Sequence, residues 1–272
     1  MKDRLMLNFP KPNLKGKTID EIDLFSDDDL FSATRVRIAF TGRHTGAKPE
    51  WDLDLAREHG IVWNYSAQNR KKLIDALTKD VGGFVQMFNP IQVHGDEIFH
   101  VKDNYLPRDG VEADGMICTT KNVACMLLFA DCCPVILVAD NGKFAVIHAG
   151  WRGVVNQISK KALCQMIDGF GCDINNINAY IGPHIGKCCF EVAGDVEQQF
   201  RDAFGADVVD KSGDNAHIDM SLALKVQLCE AGLQEDRFLD LDICTCCNHD
   251  NFFSYRKGDT ERGRQTCIAF KC

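Results

Sequence analysis

Three apolar runs in the middle of the chain constrain its fold more than any other feature of the sequence. They cover residues 123–129, 135–139 and 144–148, and each is almost continuously hydrophobic. Such hydrophobicity is typical of strands that are covered on both faces. Asp131 and Pro134 interrupt the longest apolar stretch, and no stretch reaches the ~20 apolar residues of a membrane helix. The runs therefore predict a buried sheet and no membrane span.

Helix-like and strand-like segments alternate on both sides of these runs. Helices are predicted from Ser66, as a cap, to residue 80, from residue 151 to the glycine at 169, and after a cap at Asp219. Further strands are predicted at residues 84–88, 98–101, 179–181, 238–243 and 266–270.

This alternation predicts an α/β protein, a single three-layer α/β/α domain around a central mixed sheet. The sequence shows no internal repeat and no linker-like tract, so one domain is expected over residues 35–272. Residues 1–34 are predicted to be an N-terminal arm, either an edge hairpin or a partly mobile segment.

Charge and cysteine content limit the classes of function. The net charge is −8, so a nucleic-acid-binding role is not expected, and an anionic substrate would need a local basic pocket. The N-terminus lacks the apolar core of a secretory signal, which predicts a cytoplasmic protein. The 14 cysteines include adjacent pairs that suit a disulfide framework poorly, so a reduced interior is expected.

One set of soft ligands stands at predicted strand ends. His94, Cys132 and His148 are 38 and 16 residues apart, too far for a zinc finger but suited to a site assembled at one edge of a sheet. A Cys/His/His set is typical of catalytic zinc, which keeps one position open. The alternative is that Cys132 and His148 are ordinary core residues.

A second cysteine group follows the strand predicted at 238–243. Cys244 and Cys247 form a C-x-x-C, which could be redox-active or half of a structural zinc site. The chain has no second C-x-x-C to complete a four-cysteine site. A turn without a metal is therefore the preferred interpretation.

Two basic features could hold an anion. Arg256 and Arg264 lie in a positively charged segment near the C-terminus, and a guanidinium can bind phosphate through two hydrogen bonds. Arg152 and Gly153 begin the helix that follows His148, where free backbone N–H groups favour anions. An anion site beside the candidate metal site is therefore predicted, with a solvated charged loop as the alternative for the C-terminal segment.

Several phrases resemble a known family. QVHGDEIFHV, EADGMICTT, ADCCPVIL, FAVIHAGWRGVV, AYIGPHIGKCCFEV and FFSYRKGDTERGRQ occur in the order of the laccase-domain (YfiH-like) family. That family was first labelled polyphenol oxidase and later assigned purine nucleoside phosphorylase activity. The resemblance runs from about residue 35 to residue 270. Cys133, which follows ADC, and the phrase RKGDTERGR depart from the family pattern.

The resemblance implies a zinc site formed by His94, Cys132 and His148, with small-molecule nucleosides and phosphate as partners. Similar proteins split adenosine, inosine, guanosine and methylthioadenosine with phosphate, and deaminate adenosine. Glu112 and Asp114 are the candidates for proton transfer or for orienting a ligand imidazole, with an ordinary turn before the strand at Met116 as the alternative. The further candidates for substrate or phosphate contact, which match a family phrase, are Asn69 and Arg70.

Two other functions stay open at this stage. One is a copper-dependent polyphenol oxidase, although eight histidines without any H-x-H pair make a multicopper cluster hard to build. The other is a cysteine-based redox or binding protein without turnover. A monomer or a homodimer is expected in each case.

Overall fold

The computed structural model describes residues 9–44, 53–55, 63–82, 85–102, 110–211, 215–259 and 263–272. The strands are β1 (Lys15–Ile19), β2 (Ile22–Ser26), β3 (Val36–Thr41), β4 (Gln86–Phe88), β5 (Ile98–Val101), β6 (Gly115–Cys118), β7 (Val123–Phe129), β8 (Cys133–Ala139), β9 (Phe144–Ala149), β10 (Ile177–Ile181), β11 (Glu191–Val192), β12 (Val209–Asp210), β13 (Ala216–Ile218), β14 (Phe238–Asp240) and β15 (Gln265–Lys271). The helices are α1 (Asp28–Thr34), α2 (Trp63–Thr78), α3 (Trp151–Val155), α4 (Ile158–Cys164), α5 (Gly194–Phe204) and α6 (Met220–Glu230).

In the described part of the chain, two six-stranded sheets form the centre of the molecule. The first sheet has the order β1-β2-β3-β15-β7-β4 and the second has the order β14-β10-β8-β9-β6-β5. Both are mixed, because β4, β5 and β14 each pair in parallel with their neighbour while the central strands are antiparallel. A small third sheet has the order β11-β13-β12.

The residues of β9 explain why the middle of the sequence is continuously apolar. Phe144 and Val146 pack between the two sheets. Ala145 and Ile147 point to the opposite face and pack against the layer of α3, α4 and α6. On the other side of the molecule, α2 covers the outer face of the first sheet, with Leu73 against residues of β15 and β3. Every position of such a strand is therefore buried.

The predicted α/β class is confirmed, but its central layer differs from the expectation. One mixed sheet between two helical layers was predicted, whereas two sheets packed face to face lie between the helices. The reason is that an apolar run shows burial of both faces without showing what covers each face. A second sheet buries a strand as well as a helix does.

The N-terminal segment adds a hairpin to the first sheet and is followed by the helix α1. The β1–β2 hairpin lies at its edge, because β2 pairs with β3, and this is the edge hairpin expected in the N-terminal segment. Leu30 of α1 is buried in the layer between the sheets. The Asp27 side chain accepts a hydrogen bond of 2.9 Å from the Tyr180 hydroxyl of β10. The domain boundary at residue 35 stays a prediction.

Two helix predictions need correction. The helix predicted from residue 151 to 168 is interrupted, because Gln157 has a positive φ of 59° and separates α3 from α4. Ser66 lies inside α2, which begins at Trp63. Asp219 does cap α6, and its carboxylate accepts a hydrogen bond of 2.9 Å from the Leu222 amide.

Candidate metal centre and adjoining cleft

His148 occupies the end of β9 and anchors the candidate centre. Its side chain is 3% exposed, and its Nδ1 lies 2.7 Å from Oδ1 of Asp114, which is fully buried. The His148 amide also donates to the Asp114 carbonyl. Since Nδ1 faces the carboxylate, Nε2 is the nitrogen left to bind a metal. A carboxylate of this kind typically fixes the tautomer of a ligand histidine.

Asp114 also holds the loop that carries His94. Its carboxylate accepts hydrogen bonds from the backbone amides of Val93, His94 and Gly95 at 3.1, 3.1 and 2.7 Å. His94 itself has a positive φ of 58°, a conformation that is uncommon outside glycine. The three amide contacts therefore fix this loop in a conformation that places the His94 ring beside His148.

Side-chain amides attach the same loop to the first sheet. The Asn89 amide donates to the Met126 carbonyl of β7, and the Gln92 amide both donates to and accepts from the Leu128 backbone, all at 2.9 Å. These contacts continue the hydrogen bonding of β4 and β7 past the end of β4, across a stretch that includes Pro90, which has no amide hydrogen to donate. The loop is thus fixed from both ends.

The structure brings His94, Cys132 and His148 together. The candidate ligand atoms of these three side chains lie within 4.8 Å of one another. Cys132 stands in the turn between β7 and β8, and the two imidazole rings are 4.9 Å apart with an angle of 83° between them. Two imidazoles, one thiolate and a carboxylate behind one imidazole fit a catalytic zinc ion.

The charges of these groups favour the metal-binding form of the cysteine. Burial by itself raises the pKa of the Cys132 thiol, but the charge and hydrogen bond of His148 and those of His94 outweigh it and lower the pKa to about 6. Burial lowers the pKa of His148, whereas the Cys132 thiolate and Asp114 raise it to about 9. Without a metal, thiolate and imidazolium stabilise each other, so Cys132 is already a thiolate, the form of cysteine that binds a metal ion.

Gly150 lies against all three candidate ligands. A Cβ at this position would be 3.3 Å from Cδ2 of His94 and 3.4 Å from Sγ of Cys132. We expect Gly150→Ala to displace these side chains by a few tenths of an ångström and to weaken metal binding roughly tenfold. Chelator competition measures this affinity. Gly194→Ala, at a position with open space, is the control; equal affinity in the two variants would contradict the predicted geometry.

A cleft of about 710 Å³ opens beside the three ligands. His94, Cys132 and His148 all line it. The lining also includes polar residues, among them Asp131, Asn89 and Gln92, and a set of apolar and cationic side chains, which are Trp151, Ile185, Phe190, Met220, Tyr255, Arg152, Arg256 and Arg264. Aromatic and cationic side chains lie next to each other in this cleft, so it can hold a flat aromatic ring together with an anion.

The three arginines of the cleft differ in what they contact. The Arg256 guanidinium donates to the carbonyls of Cys189 and Glu191 at 2.6 and 3.1 Å, and that of Arg264 donates to the carbonyls of Asp259 and Gly263. The exposed Arg152 guanidinium stacks over the Trp151 ring at 4.2 Å. Within the described part of the chain, no carboxylate lies within ion-pair distance of Arg152, and no backbone carbonyl holds its guanidinium as carbonyls hold those of Arg256 and Arg264, so Arg152 is the cation most available to a bound anion.

The other predicted site residues lie outside the cleft. Asn69 and Arg70 of α2 donate to the carbonyls of Asp54 and Leu55. Asp54 and Leu55 in turn bond to the backbone of Arg264, so the two α2 residues support this part of the cleft from behind. Two more predicted residues do not line the cleft, the buried Gly153 in α3 and the exposed Glu112. Because α3 has only five residues, the helix terminus expected at Arg152 and Gly153 is weak, and the Arg152 side chain is the relevant feature.

Asp131 is a structural residue of the site that the sequence alone did not reveal. It precedes Cys132 with a positive φ of 89°. Its carboxylate accepts hydrogen bonds from the Thr245 hydroxyl at 2.6 Å and from the Arg256 amide at 2.7 Å, and its carbonyl accepts from the Ile185 amide. It therefore joins three loops around the cleft. The available signal was an acidic residue inside an otherwise apolar stretch.

Comparison with known proteins identifies the relatives of this chain. The family model described as "Multi-copper polyphenol oxidoreductase laccase" matches residues 37–271. The chain belongs to this family. The resemblance seen in the sequence motifs is thereby confirmed.

Relatives in the family carry nucleoside-related names. Purine nucleoside phosphorylase LACC1 of Homo sapiens is 29% identical over 73% of this chain. Adenosine deaminase RL5 of an unknown prokaryotic organism is 32% identical over 64% of this chain. The alignments span 46% of the human protein and 71% of RL5, so this chain corresponds to less than half of the human relative.

Solved structures share the fold. The crystal structure of the hypothetical protein YfiH of Bacillus licheniformis superposes with a TM-score of 0.81 at 23% identity, over 93% of this chain and 97% of that one. Within the described ranges of this chain, no helix has both the length and the apolar composition needed to cross a membrane.

Proposed function

We propose that this chain is a zinc-dependent purine nucleoside phosphorylase that also deaminates adenosine. The observation that carries the proposal is the placement of His94, Cys132 and His148 at the wall of a cleft that has both aromatic and cationic lining. The names of LACC1 and RL5 support the same substrate class. The proposed substrates are adenosine, inosine, guanosine and methylthioadenosine.

The lining of the cleft suits the two halves of a phosphorolysis reaction. Trp151, Phe190 and Tyr255 offer aromatic surface for a purine ring, and Arg152 offers a guanidinium for phosphate. Cleavage of a glycosidic bond develops positive charge on the sugar, and a phosphate held beside the anomeric carbon stabilises this charge in the transition state. A phosphate oxygen then bonds to the anomeric carbon as the bond from that carbon to the purine nitrogen breaks. The proposed products are the free purine and a pentose 1-phosphate.

The metal ligands would be His94, Cys132 and His148, with Asp114 orienting His148. When bound there, a zinc ion supplies a Lewis acid and lowers the pKa of water, which is the chemistry that deamination of a purine requires. Asp114 keeps the Nδ1 proton of His148 in place and so keeps Nε2 directed to the centre. We propose no direct contact between Asp114 and the substrate, because the Asp114 carboxylate is fully buried behind the His148 ring.

The proposed location is the cytoplasm. All fourteen cysteines are described and none is in a disulfide, which suits a reducing compartment. One chain supplies all of the candidate ligands, so the proposed reaction can operate in a monomer or a homodimer.

The test of the reaction is release of hypoxanthine from inosine by the zinc-loaded protein, with and without phosphate. We expect release that depends on phosphate and yields ribose 1-phosphate, and ammonia release from adenosine in parallel. Hypoxanthine release that is the same without phosphate, or no release by fully metallated protein, would contradict the phosphorylase proposal.

The identity of the bound metal distinguishes the proposed zinc enzyme from the copper oxidase that the family's description names. We expect zinc after purification without added metal, because a Cys/His/His set with one open position is a zinc ligand set. Stoichiometric copper together with oxidation of a phenol would support the oxidase instead.

Removal of the Arg152 guanidinium is expected to weaken phosphate binding. A hydrogen bond to a charged group contributes ~1.5–3 kcal/mol, so Arg152→Ala should raise the KM for phosphate at least roughly tenfold, with a smaller change in the KM for inosine. Lys160→Ala, on the surface of α4, is the matched control and should leave both constants unchanged. An unchanged KM for phosphate in Arg152→Ala would exclude this residue as the anion contact.

A further inference from the structure

A second group of soft ligands lies outside the centre described above. Cys188 and Cys189 belong to the loop after β10, and Cys244 and Cys247 belong to the loop after β14. Strands β10 and β14 are parallel neighbours, so the loops that follow them emerge at the same edge of the sheet. The His184 amide donates to Ile243, and the Thr245 amide donates to His184, at 3.1 and 2.9 Å, which joins the two loops directly.

The four sulfur atoms have the spacing of a metal site. All four lie within 4.8 Å of one another. Sγ of Cys247 is 3.5 Å from Sγ of Cys188 and 3.4 Å from Sγ of Cys189. Four thiolates at the ~2.3 Å of a zinc–sulfur bond stand about 3.8 Å apart at tetrahedral angles, whereas a disulfide requires about 2.05 Å. The observed separations are close to the tetrahedral value.

The backbone of both loops directs the cysteines to a common point. In the first loop, the amides of Cys189 and Phe190 donate to the Gly186 carbonyl, so the chain turns and the adjacent cysteines do not alternate as in a strand. In the second loop, the Cys247 amide donates to Sγ of Cys244 at 3.5 Å. Such amide contacts orient a metal-bound thiolate. A Cβ at Gly186 would lie 3.2 Å from Cβ of Cys244 and 3.3 Å from Sγ of Cys188, so glycine lets the two loops approach each other closely here.

We propose that Cys188, Cys189, Cys244 and Cys247 bind a second zinc ion through four thiolates. Four protein ligands leave no open position, so this is a structural site, unlike the centre at His94, Cys132 and His148. The sequence interpretation of Cys244 and Cys247 as a metal-free turn assumed that no further cysteine pair completes the set. The adjacent pair Cys188 and Cys189 completes it.

The second site has a consequence for the cleft. The Cys189 carbonyl accepts a hydrogen bond of 2.6 Å from Arg256, and Phe190, the next residue, lines the cleft beside Arg256. A metal that fixes Cys189 therefore fixes one wall of the cleft without touching the substrate. The proposal does not depend on which reaction the cleft performs.

The zinc content of the full chain tests the proposal. The protein is purified with a thiol reductant and loaded with zinc, and we expect two zinc ions per chain. Cys247→Ser should bind one zinc fewer, while Cys246→Ser, which changes a neighbouring cysteine outside the set, should keep both. Equal zinc content in Cys247→Ser and the unchanged protein would overturn the proposal.

X-ray absorption identifies the ligands of the second site without changing any of its four cysteines. In Cys132→Ser, which removes a ligand of the first centre, the remaining zinc should show four sulfur neighbours at ~2.3 Å. A shell with nitrogen or oxygen neighbours, no remaining zinc, or a disulfide between the two loops in the reduced preparation would each overturn the proposal. Loss of turnover in Cys132→Ser with the sulfur-bound zinc retained separates this site from the proposed function.

Discussion

Replacing Cys132 by serine is expected to remove the metal from the centre at His94 and His148 and to reduce nucleoside turnover to the level of metal-free protein. Serine keeps the size of the side chain, but its hydroxyl stays protonated at neutral pH and is a poor zinc ligand. The loss should exceed the ~10–100-fold that removal of a supporting hydrogen-bond partner costs a metal site. Zinc content and phosphate-dependent hypoxanthine release measure the two effects.

Cys133 provides a matched control for this prediction. It is adjacent to Cys132, but its side chain is fully buried on the helix-covered face of the second sheet. Cys133→Ala should therefore keep the zinc of the first centre and the activity, at a modest cost in stability. Equal activity in Cys132→Ser and the unchanged protein would show that this thiolate has no part in the reaction.

Asp114→Asn is expected to lower zinc affinity or activity by ~10–100-fold. Oδ1 of Asp114 faces Nδ1 of His148 and the His94 amide, and Oδ2 faces the amides of Val93 and Gly95. An asparagine has one oxygen, so in either orientation its NH₂ group meets hydrogen-bond donors. If it faces His148, the imidazole must place its proton on Nε2, the nitrogen needed for the metal.

The same substitution should also destabilise the fold. Burial raises the pKa of Asp114, but hydrogen bonds from His148 and from the Gly95 and Val93 amides lower it overall. The buried carboxylate is therefore ionised at neutral pH, and both of its oxygens accept hydrogen bonds. Leaving such donors unsatisfied costs roughly 1–3 kcal/mol each. Thermal unfolding of the metal-free variant measures this cost apart from zinc binding.

Glu112→Gln is the control for Asp114→Asn. Glu112 is two residues away and exposed, and the sequence made it an equal candidate for proton transfer. We expect Glu112→Gln to keep the zinc and nearly all of the activity. A loss of kcat in Glu112→Gln together with normal zinc binding would restore Glu112 as a catalytic candidate, and an unchanged Asp114→Asn would exclude the orienting role of Asp114.

The sequence by itself determined several of the strands and the first set of soft ligands. The strands β7 and β5 were predicted with their observed bounds, because consecutive apolar residues indicate a buried strand. His94, Cys132 and His148 were selected by ligand chemistry and by the family resemblance, and the structure places them together. The Asp219 cap was found because capping is a local interaction between residues three apart.

Only the tertiary structure decided how the layers and loops combine. Two sheets instead of one cover the apolar runs, since a hydrophobic face records burial but not its partner. The second cysteine site joins residues 188–189 with residues 244 and 247 because β10 and β14 are parallel neighbours, a pairing that no spacing along the chain encodes. Asp131 acts through loops that are distant in sequence. Local patterns fix elements and donor types, whereas contacts between distant segments depend on how those elements pack.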